Sequence, residues 1–311
     1  MIRDTIVFQV HLLQDINILR GLAFLAARET GAEIVFLCSE TFRKRDSQGI
    51  WQAELARLAA ALRAPVYLFH APAEALAVLQ GRRGILIAGS ESDLDAHREA
   101  HELFRIAPAG WLRVTLQHGL ECVGFLQNRE HVLAHGRNIG FAADVICAWS
   151  GDPRMQSAMT AASRSKAIVT GPSALLQRRV PEADHPPIRG GLVCENLHSV
   201  RLRASGDHGA SFMAQFRAFC AAEAARGEGV TLRPHPGGQY VLKNKVALPD
   251  NVVLNNLPIY KVALDRYAYG ISAPSTVVID MVLAGLPTAV WRDGGGVMDA
   301  GLYAGLTAIE D

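Results

Sequence analysis

Along the first half of the chain, apolar residues follow two alternating patterns. Short continuous runs at residues 5–10, 33–38, 66–69, 84–88, 112–116, 145–149 and 167–170 have the length and β-branched content of buried strands. Between several of them apolar side chains recur every three or four positions, as on one face of a helix. Ile18, Leu19, Leu22 and Leu25 form the first stripe, which Asp15 opens as a candidate N-cap and Gly31 closes. Leu55, Leu58 and Leu62 form the next. Such alternation predicts a parallel sheet covered by helices on both faces.

The pattern breaks between Leu176 and Gly191, where Arg178, Arg179, Pro181, Pro186 and Pro187 precede Gly190. So many prolines cannot continue a helix or a central strand, and the segment predicts an interdomain linker. The same unit then restarts. Residues 192–194, 229–232, 252–254, 269–272 and 288–291 predict strands, and Phe212, Phe216, Phe219 and Cys220 mark one face of an intervening helix. A helix at 275–283 ends at Gly285, with Pro287 beyond it. The expected class is α/β: a Rossmann-like domain at 1–178, a linker at 179–190 and a second Rossmann-like domain at 191–311. The two parallel sheets are expected to face across a cleft. The strand at 288–291 reads as the last, and the closing helix expected after it is missing before Asp311, as in a truncated chain or one module of a larger protein.

A length of 311 residues suits two domains of moderate size. The balance of 31 Lys and Arg against 30 Asp and Glu leaves a net charge of +1, so nucleic acid is not an expected partner. Cys38, Cys122, Cys147, Cys194 and Cys220 show no CxxC spacing, which points to a reducing compartment. The N-terminus lacks a signal-peptide pattern, and no apolar stretch is long enough to cross a bilayer. A cytoplasmic protein is expected, with the inner face of the membrane as a further place for it to act.

Candidate chemistry gathers at predicted strand ends. In Arg233-Pro234-His235-Pro236-Gly237-Gly238 a strand runs into a turn stiffened by proline and opened by glycine. Arg233 supplies a fork of donors suited to phosphate, and His235 can donate a hydrogen bond or a proton. A rigid turn with solvated Arg and His explains the segment equally well. In Ser272-Ala273-Pro274-Ser275-Thr276, Ser275 can cap a helix whose first amides, with the Ser275 and Thr276 hydroxyls, make an anion site. Asp280 follows Thr276 by one helical turn, where a carboxylate can accept ribose hydroxyls. An ordinary cap and a solvated acid are the plainer alternative.

The combination of these segments, followed by Ala284-Gly285-Leu286-Pro287, resembles the donor half of GT-B glycosyltransferases that build bacterial surface polysaccharides. Capsule and lipopolysaccharide Kdo transferases, His-Pro-motif sialyltransferases and CDP-glycerol glycerophosphotransferases are the similar families. The resemblance spans roughly residue 192 to the C-terminus. It implies that His235, Ser275 and Thr276 contact the phosphate of a nucleotide sugar, with Arg233 nearby and Asp280 at the ribose. The implied donor is CMP-Kdo, with CMP-sialic acid and CDP-glycerol as alternatives, and the implied acceptor is a glycan or glycolipid. Neither a metal nor another cofactor is implied.

Gln117-His118-Gly119, at another strand end, resembles the His-Gly of glycerophosphotransferases. His118 could deprotonate an acceptor hydroxyl or steady the leaving phosphate, or simply cap its strand. Glu195 and Asn196 should point into the cleft, with Glu195 a base, a nucleophile or a sugar ligand. Gly294, Gly295 and Gly296 could admit a sugar or form a surface loop. Asp93-Leu94-Asp95 matches a metal-binding DxD, and His97 and His101 stand one helical turn apart, but both fit solvated helix surface better. Two further classes stay open: a non-hydrolysing sugar-nucleotide epimerase, for which the N-terminal strand ends show few acids, and a non-catalytic module that binds nucleotide sugar or glycan within a larger synthase.

Overall fold

The structure, a computed structural model, describes residues 3–120, 122, 124–125, 136–177, 190–197, 208–291, 303 and 305–309. The chain divides into two compact units, Met1–Arg178 and Arg179–Asp311. The linker prolines and residues 294–296 lie outside the described residues.

Unit 1 contains β1 (Arg3–Val10), β2 (Glu33–Ser39), β3 (Val66–Phe69), β4 (Arg82–Ala88), β5 (Trp111–Leu116), β6 (Val145–Ala148) and β7 (Ala167–Val169). They form one parallel sheet in the order β3-β2-β1-β4-β5-β6-β7. Its central strands are apolar at consecutive positions because both faces are covered: Val7, Val35 and Leu86 pack into one core, Ile6, Phe8 and Phe36 into the other. Each such side chain contributes about 1.5–3 kcal/mol on burial. The outer strands depart from the buried pattern expected of them. Val66 and Leu68 in β3 and Val169 in β7 are exposed, since an edge strand has only one neighbour to pack beside.

The first helix, α1 (Asp15–Glu29), buries Ile16, Ile18, Leu19, Ala23 and Ala26 against the sheet. Asp15 is its first residue rather than its N-cap, and Gln14 takes the cap position without a side-chain bond. Thr30, not Gly31, ends it, with both its N–H and its hydroxyl donating to Ala26 O. Further helices are α2 (Glu40–Arg45), α3 (Ile50–Leu62), α4 (Pro72–Leu79), α5 (Arg98–Ile106) and α6 (Ala161–Arg164).

Unit 2 contains β8 (Gly190–Cys194), β9 (Gly229–Arg233), β10 (Val252–Leu254), β11 (Tyr269–Ser272), β12 (Thr288–Trp291) and β13 (Thr307–Ile309). These too are parallel, in the order β10-β9-β8-β11-β12-β13. Gly190, placed in the linker on sequence, begins β8. Residues 288–291 are not the last strand, because β13 pairs with β12. The helices are α7 (His208–Ala225), α8 (Tyr240–Lys243) and α9 (Val277–Leu283). The α/β class with two Rossmann-like sheets is as the sequence predicts.

In both sheets the first strand lies between the second and the fourth. The winding reverses between β1 and β4 in unit 1 and between β8 and β11 in unit 2. Loops leaving the carboxyl ends of such a strand pair diverge, and open α/β sheets bind ligands in the crevice left there.

Candidate functional site

At the switch point of unit 2, Glu195 and Asn196 follow β8 while Ala273, Pro274 and Ser275 follow β11. The two sides are tied together: Ala273 N–H donates to Cys194 O at 3.0 Å, and Asn196 Nδ2 donates to Pro274 O at 2.6 Å. On the other side of β8, β9 ends at Arg233 and runs into the His235 turn. His235 O accepts from Gly238 N–H at 3.1 Å and Gln239 N–H at 2.9 Å, which closes that turn. His235 Nδ1 accepts from Gly237 N–H at 3.2 Å, so a neutral His235 ring carries its hydrogen on Nε2, as a donor.

Glu195 is only 1 % exposed and does not project free of its unit as expected. Its Oε1 accepts from Tyr240 N–H at 2.8 Å, at the start of α8, so the carboxylate holds the far end of the His235 turn. Burial pushes the carboxyl up to about 7, with the Tyr240 amide opposing. Arg233 is also inside rather than emerging. It is 4 % exposed and donates from Nη2 to Leu257 O at 3.3 Å. Burial lowers its basicity, while Cys194 and Asp280 act to raise it, which places the Asp280 carboxyl within electrostatic reach of the guanidinium. Arg233 Nε, Glu195 Oε2 and Asn196 Oδ1 are buried and have no hydrogen-bond partner among the described residues. A buried polar atom left so costs about 1–3 kcal/mol.

The helix after β11 begins later than the sequence suggests. Thr276 holds the N-cap position of α9, in helical conformation and without a side-chain cap bond. Ser275 is buried, and its hydroxyl oxygen accepts from Val277 N–H at 3.5 Å. Pro274 and Ser275 still belong to the turn before α9. Thr276 and Asp280 are half-buried.

The strand-end edge of unit 1 is more polar than the sequence analysis foresees. His118 follows β5, and its Nδ1 lies 3.2 Å from Cys122 Sγ. Burial holds the Cys122 thiol up at about 12, so the thiol keeps its proton and donates it. His118 is pushed down to about 4, chiefly by burial, with Asp15 opposing and His11 adding to the shift. It is thus neutral at physiological pH and cannot meet a phosphate as a cation. His97 is not solvated surface: it is 3 % exposed, its Nδ1 lies 2.7 Å from Ser92 Oγ, and its ring stands edge-on to those of His118 and His11, 5.9 and 6.3 Å between centroids. His101 is paired with the buried Glu91, whose carboxylate also accepts from the amides of Ala142 and Ala143. Asp93 and Asp95 are exposed as expected.

Sequence reasoning passed over His11 and took Asp15 for a cap. Both are buried beside the switch point of unit 1, with His11 Nδ1 3.2 Å from Asp15 Oδ2. The available signal was position: His11 directly follows the first strand run. Among the described residues, no group of three or more His, Cys, Asp or Glu side chains is placed to hold a metal ion, and no helix is long and apolar enough to cross a membrane. All five cysteines are free.

Neither a family model nor a curated protein sequence matches the chain. Solved structures do. A Listeria monocytogenes protein described as a UDP-N-acetylglucosamine 2-epimerase aligns at a TM-score of 0.63 and 13% identity, over 100% of this chain and 85% of that one. S. aureus MnaA, solved with UDP, aligns at 0.57 and 10%, over 93% and 79%. The glycosyltransferase SnogD from Streptomyces nogalater aligns at 0.52 and 14%, over 100% and 88%. The chain has the GT-B fold these proteins share. At such identities the likeness extends to fold and not to activity, and the Kdo-specific resemblance has no counterpart among them.

Proposed function

We propose that the chain is a glycosyltransferase that takes its sugar from a nucleotide donor bound at the strand-end edge of unit 2. The observation that carries this reading is the set of buried polar atoms on Arg233, Glu195 and Asn196, at the carboxyl ends of β9 and β8, that have no hydrogen-bond partner among the described residues, with the His235 turn following β9 and Ser275 and Thr276 following β11. Phosphate oxygens would accept from His235 Nε2–H and from the Ser275 and Thr276 hydroxyls, and Asp280 would accept from ribose hydroxyls. Arg233 and Glu195 would hold the surrounding turns, with Arg233 adding positive potential from behind. As the acceptor oxygen bonds to the anomeric carbon, the bond to phosphate breaks and its electron pair leaves on the phosphate, where these donors stabilise it. The acceptor, a glycan or glycolipid, would lie at unit 1 near His118, which as a neutral ring would orient hydroxyls.

The motif resemblance favours CMP-Kdo as donor, whereas one neighbour was solved with UDP and another, from Neisseria meningitidis, with UDP-GlcNAc. A thermal-shift panel of CMP, CDP, UDP and GDP tests the reading, since a ligand at 100 times its Kd stabilises by about 2.7 kcal/mol. CMP or CDP should raise Tm most, and His235→Ala or Ser275→Ala should weaken the shift. Preference for UDP would remove the CMP-Kdo assignment, and no shift from any nucleotide would remove the whole reading.

One observation favours a second reading, a sugar-nucleotide epimerase. Asp15 and Glu91 are buried acids at the unit 1 strand ends, where the sequence suggested few. Interconversion of UDP-GlcNAc with its 2-epimer, without any acceptor, would establish it. Nucleotide binding with no turnover of any donor would instead favour a non-catalytic module.

A further inference from the structure

The His235 turn of unit 2 is folded over a carboxyl group. Glu195 leaves β8, its own N–H donating to Arg233 O at 3.0 Å, and the chain that leaves β9 passes across its side chain. Tyr240 N–H donates to Glu195 Oε1 at 2.8 Å, and the amides of His235 and Val241 also act on the carboxyl. Between them Gln239 is buried at φ +51°, a left-handed conformation that a residue other than glycine rarely adopts. Bonds on both sides hold it there: Gln239 N–H to His235 O at 2.9 Å, and Tyr240 N–H to Glu195. The carboxyl and the His235 ring thus belong to one short, tightly bonded turn.

Glu195 Oε2 is buried with no hydrogen-bond partner among the described residues. Ionisation leaves a charge with little to replace water, and burial pushes the group up to about 7. The three amides oppose this, as does the exposed Lys243 of α8, whose Nζ lies 3.5 Å from Gly237 O. In β9 the Arg233 guanidinium is already in the field of Asp280, from α9. The Cys194 thiol, in β8, is held up at about 12 and stays neutral. His235 is the other titratable ring of the turn.

We propose that an anion seated at the His235 turn binds together with a proton on Glu195, so that the carboxyl behind the turn regulates phosphate binding in unit 2. This rests on the reading of unit 2 as the nucleotide site. Phosphate at His235 Nε2 and a carboxylate on the Tyr240 amide put two negative charges on one turn, where burial weakens screening. A proton on Glu195 removes one charge and leaves Tyr240 N–H bonded to the carboxyl oxygen. A charged Glu195 would strengthen that bond and favour ligand at high pH. The bond is made in either form, however, whereas the repulsion exists only with the carboxylate. Linkage is reciprocal, so nucleotide favours the protonated carboxyl as much as the proton favours nucleotide. Affinity is therefore highest below pH 7, where Glu195 already carries its proton, and falls as pH rises through that value.

The test compares the full chain with Glu195→Gln by calorimetry, from about pH 6 to about pH 8.5, using whichever of CMP, CDP, UDP or GDP raises Tm most. Ligand phosphate and His235 titrate in both proteins, so the difference between them belongs to Glu195. Over this range the wild type should lose about fivefold or more in affinity relative to Glu195→Gln. Near neutral pH it should also take up more protons on binding, read from heats in buffers of different ionisation enthalpy. Carbon-13 NMR of the wild type, which needs no variant, should find the Glu195 carboxyl titrating near 7 and moved upward by the nucleotide. A midpoint that bound nucleotide leaves in place overturns the proposal and spares the nucleotide site. So does an affinity that follows pH alike in both proteins, or that rises with pH relative to Glu195→Gln. Binding of no nucleotide removes the transferase reading. Sulfate, whose charge is constant over this range, then takes its place in the NMR titration, and a midpoint that it does not raise overturns the linkage.

Discussion

Glu195 is buried and His118 half-buried at strand ends, and loss of solvent shifts them in opposite senses. Glu195 titrates near 7 when folded, above its ordinary 4.5. The native state therefore keeps a proton that the unfolded chain has released, and stability attached to Glu195 is complete below pH 4.5 and lost as pH rises through 7. Glu195→Gln keeps an acceptor for Tyr240 N–H without the charge. Its Tm should match the wild type near pH 4 and exceed it by pH 8; a difference independent of pH would show that the carboxyl is not held protonated. His118 titrates near 4 against an ordinary 6.5, so its contribution is complete above 6.5 and lost as pH falls toward 4. His118→Gln should lessen the loss of Tm between pH 7 and 4.5, and an unchanged acid profile would contradict the burial argument. Neither behaviour is visible in sequence, where each residue is a polar side chain after an apolar run.

At the level of elements, two glycines set how closely neighbouring strands approach. Gly84, at φ +142°, pairs with Thr5, and a Cβ there would lie 2.0 Å from Thr5 O. Gly190, at φ +123°, pairs with Gly229, and a Cβ would lie 1.8 Å from its carbonyl oxygen. Alanine at either site must displace a backbone and adopt a disfavoured conformation, at a cost of about 2–4 kcal/mol. Gly110, where a Cβ would meet only Arg83 Cβ at 3.5 Å, is the control. Urea unfolding should rank Gly84→Ala and Gly190→Ala well below Gly110→Ala, and equal midpoints would remove close approach as the constraint. Most elements were legible beforehand because strands buried on both faces are apolar throughout, whereas α1 follows a helical period. The short α2 and α6 and the strand β13 were not. Elements of three to six residues carry too little periodicity to stand out, and β13 exists through its pairing with β12.

On the scale of the whole chain, each unit has its own pair of cores: Val7 and Phe8 belong to those of unit 1, Val193 and Leu192 to those of unit 2. Separate cores predict heat unfolding with a calorimetric enthalpy above the van't Hoff value, and nucleotide should raise the transition of the unit that carries His235. A single two-state transition would contradict this.

The amino-acid order alone was enough for the α/β class, two Rossmann-like units and strand ends bearing His118, Glu195, Arg233 and His235, because the hydrophobic period is a local property of the chain. It could not tell a side chain facing solvent from one folded inward. Glu195 became a brace for the His235 turn, Arg233 a buried charge near Asp280, and His97 a neighbour of His11 and His118, through contacts between residues distant in the chain. The His11 and His97 rings meet in the same way. Only when β4 lies beside β1 does Gly89 meet Asp15, because that contact comes from strand order, which no local pattern encodes.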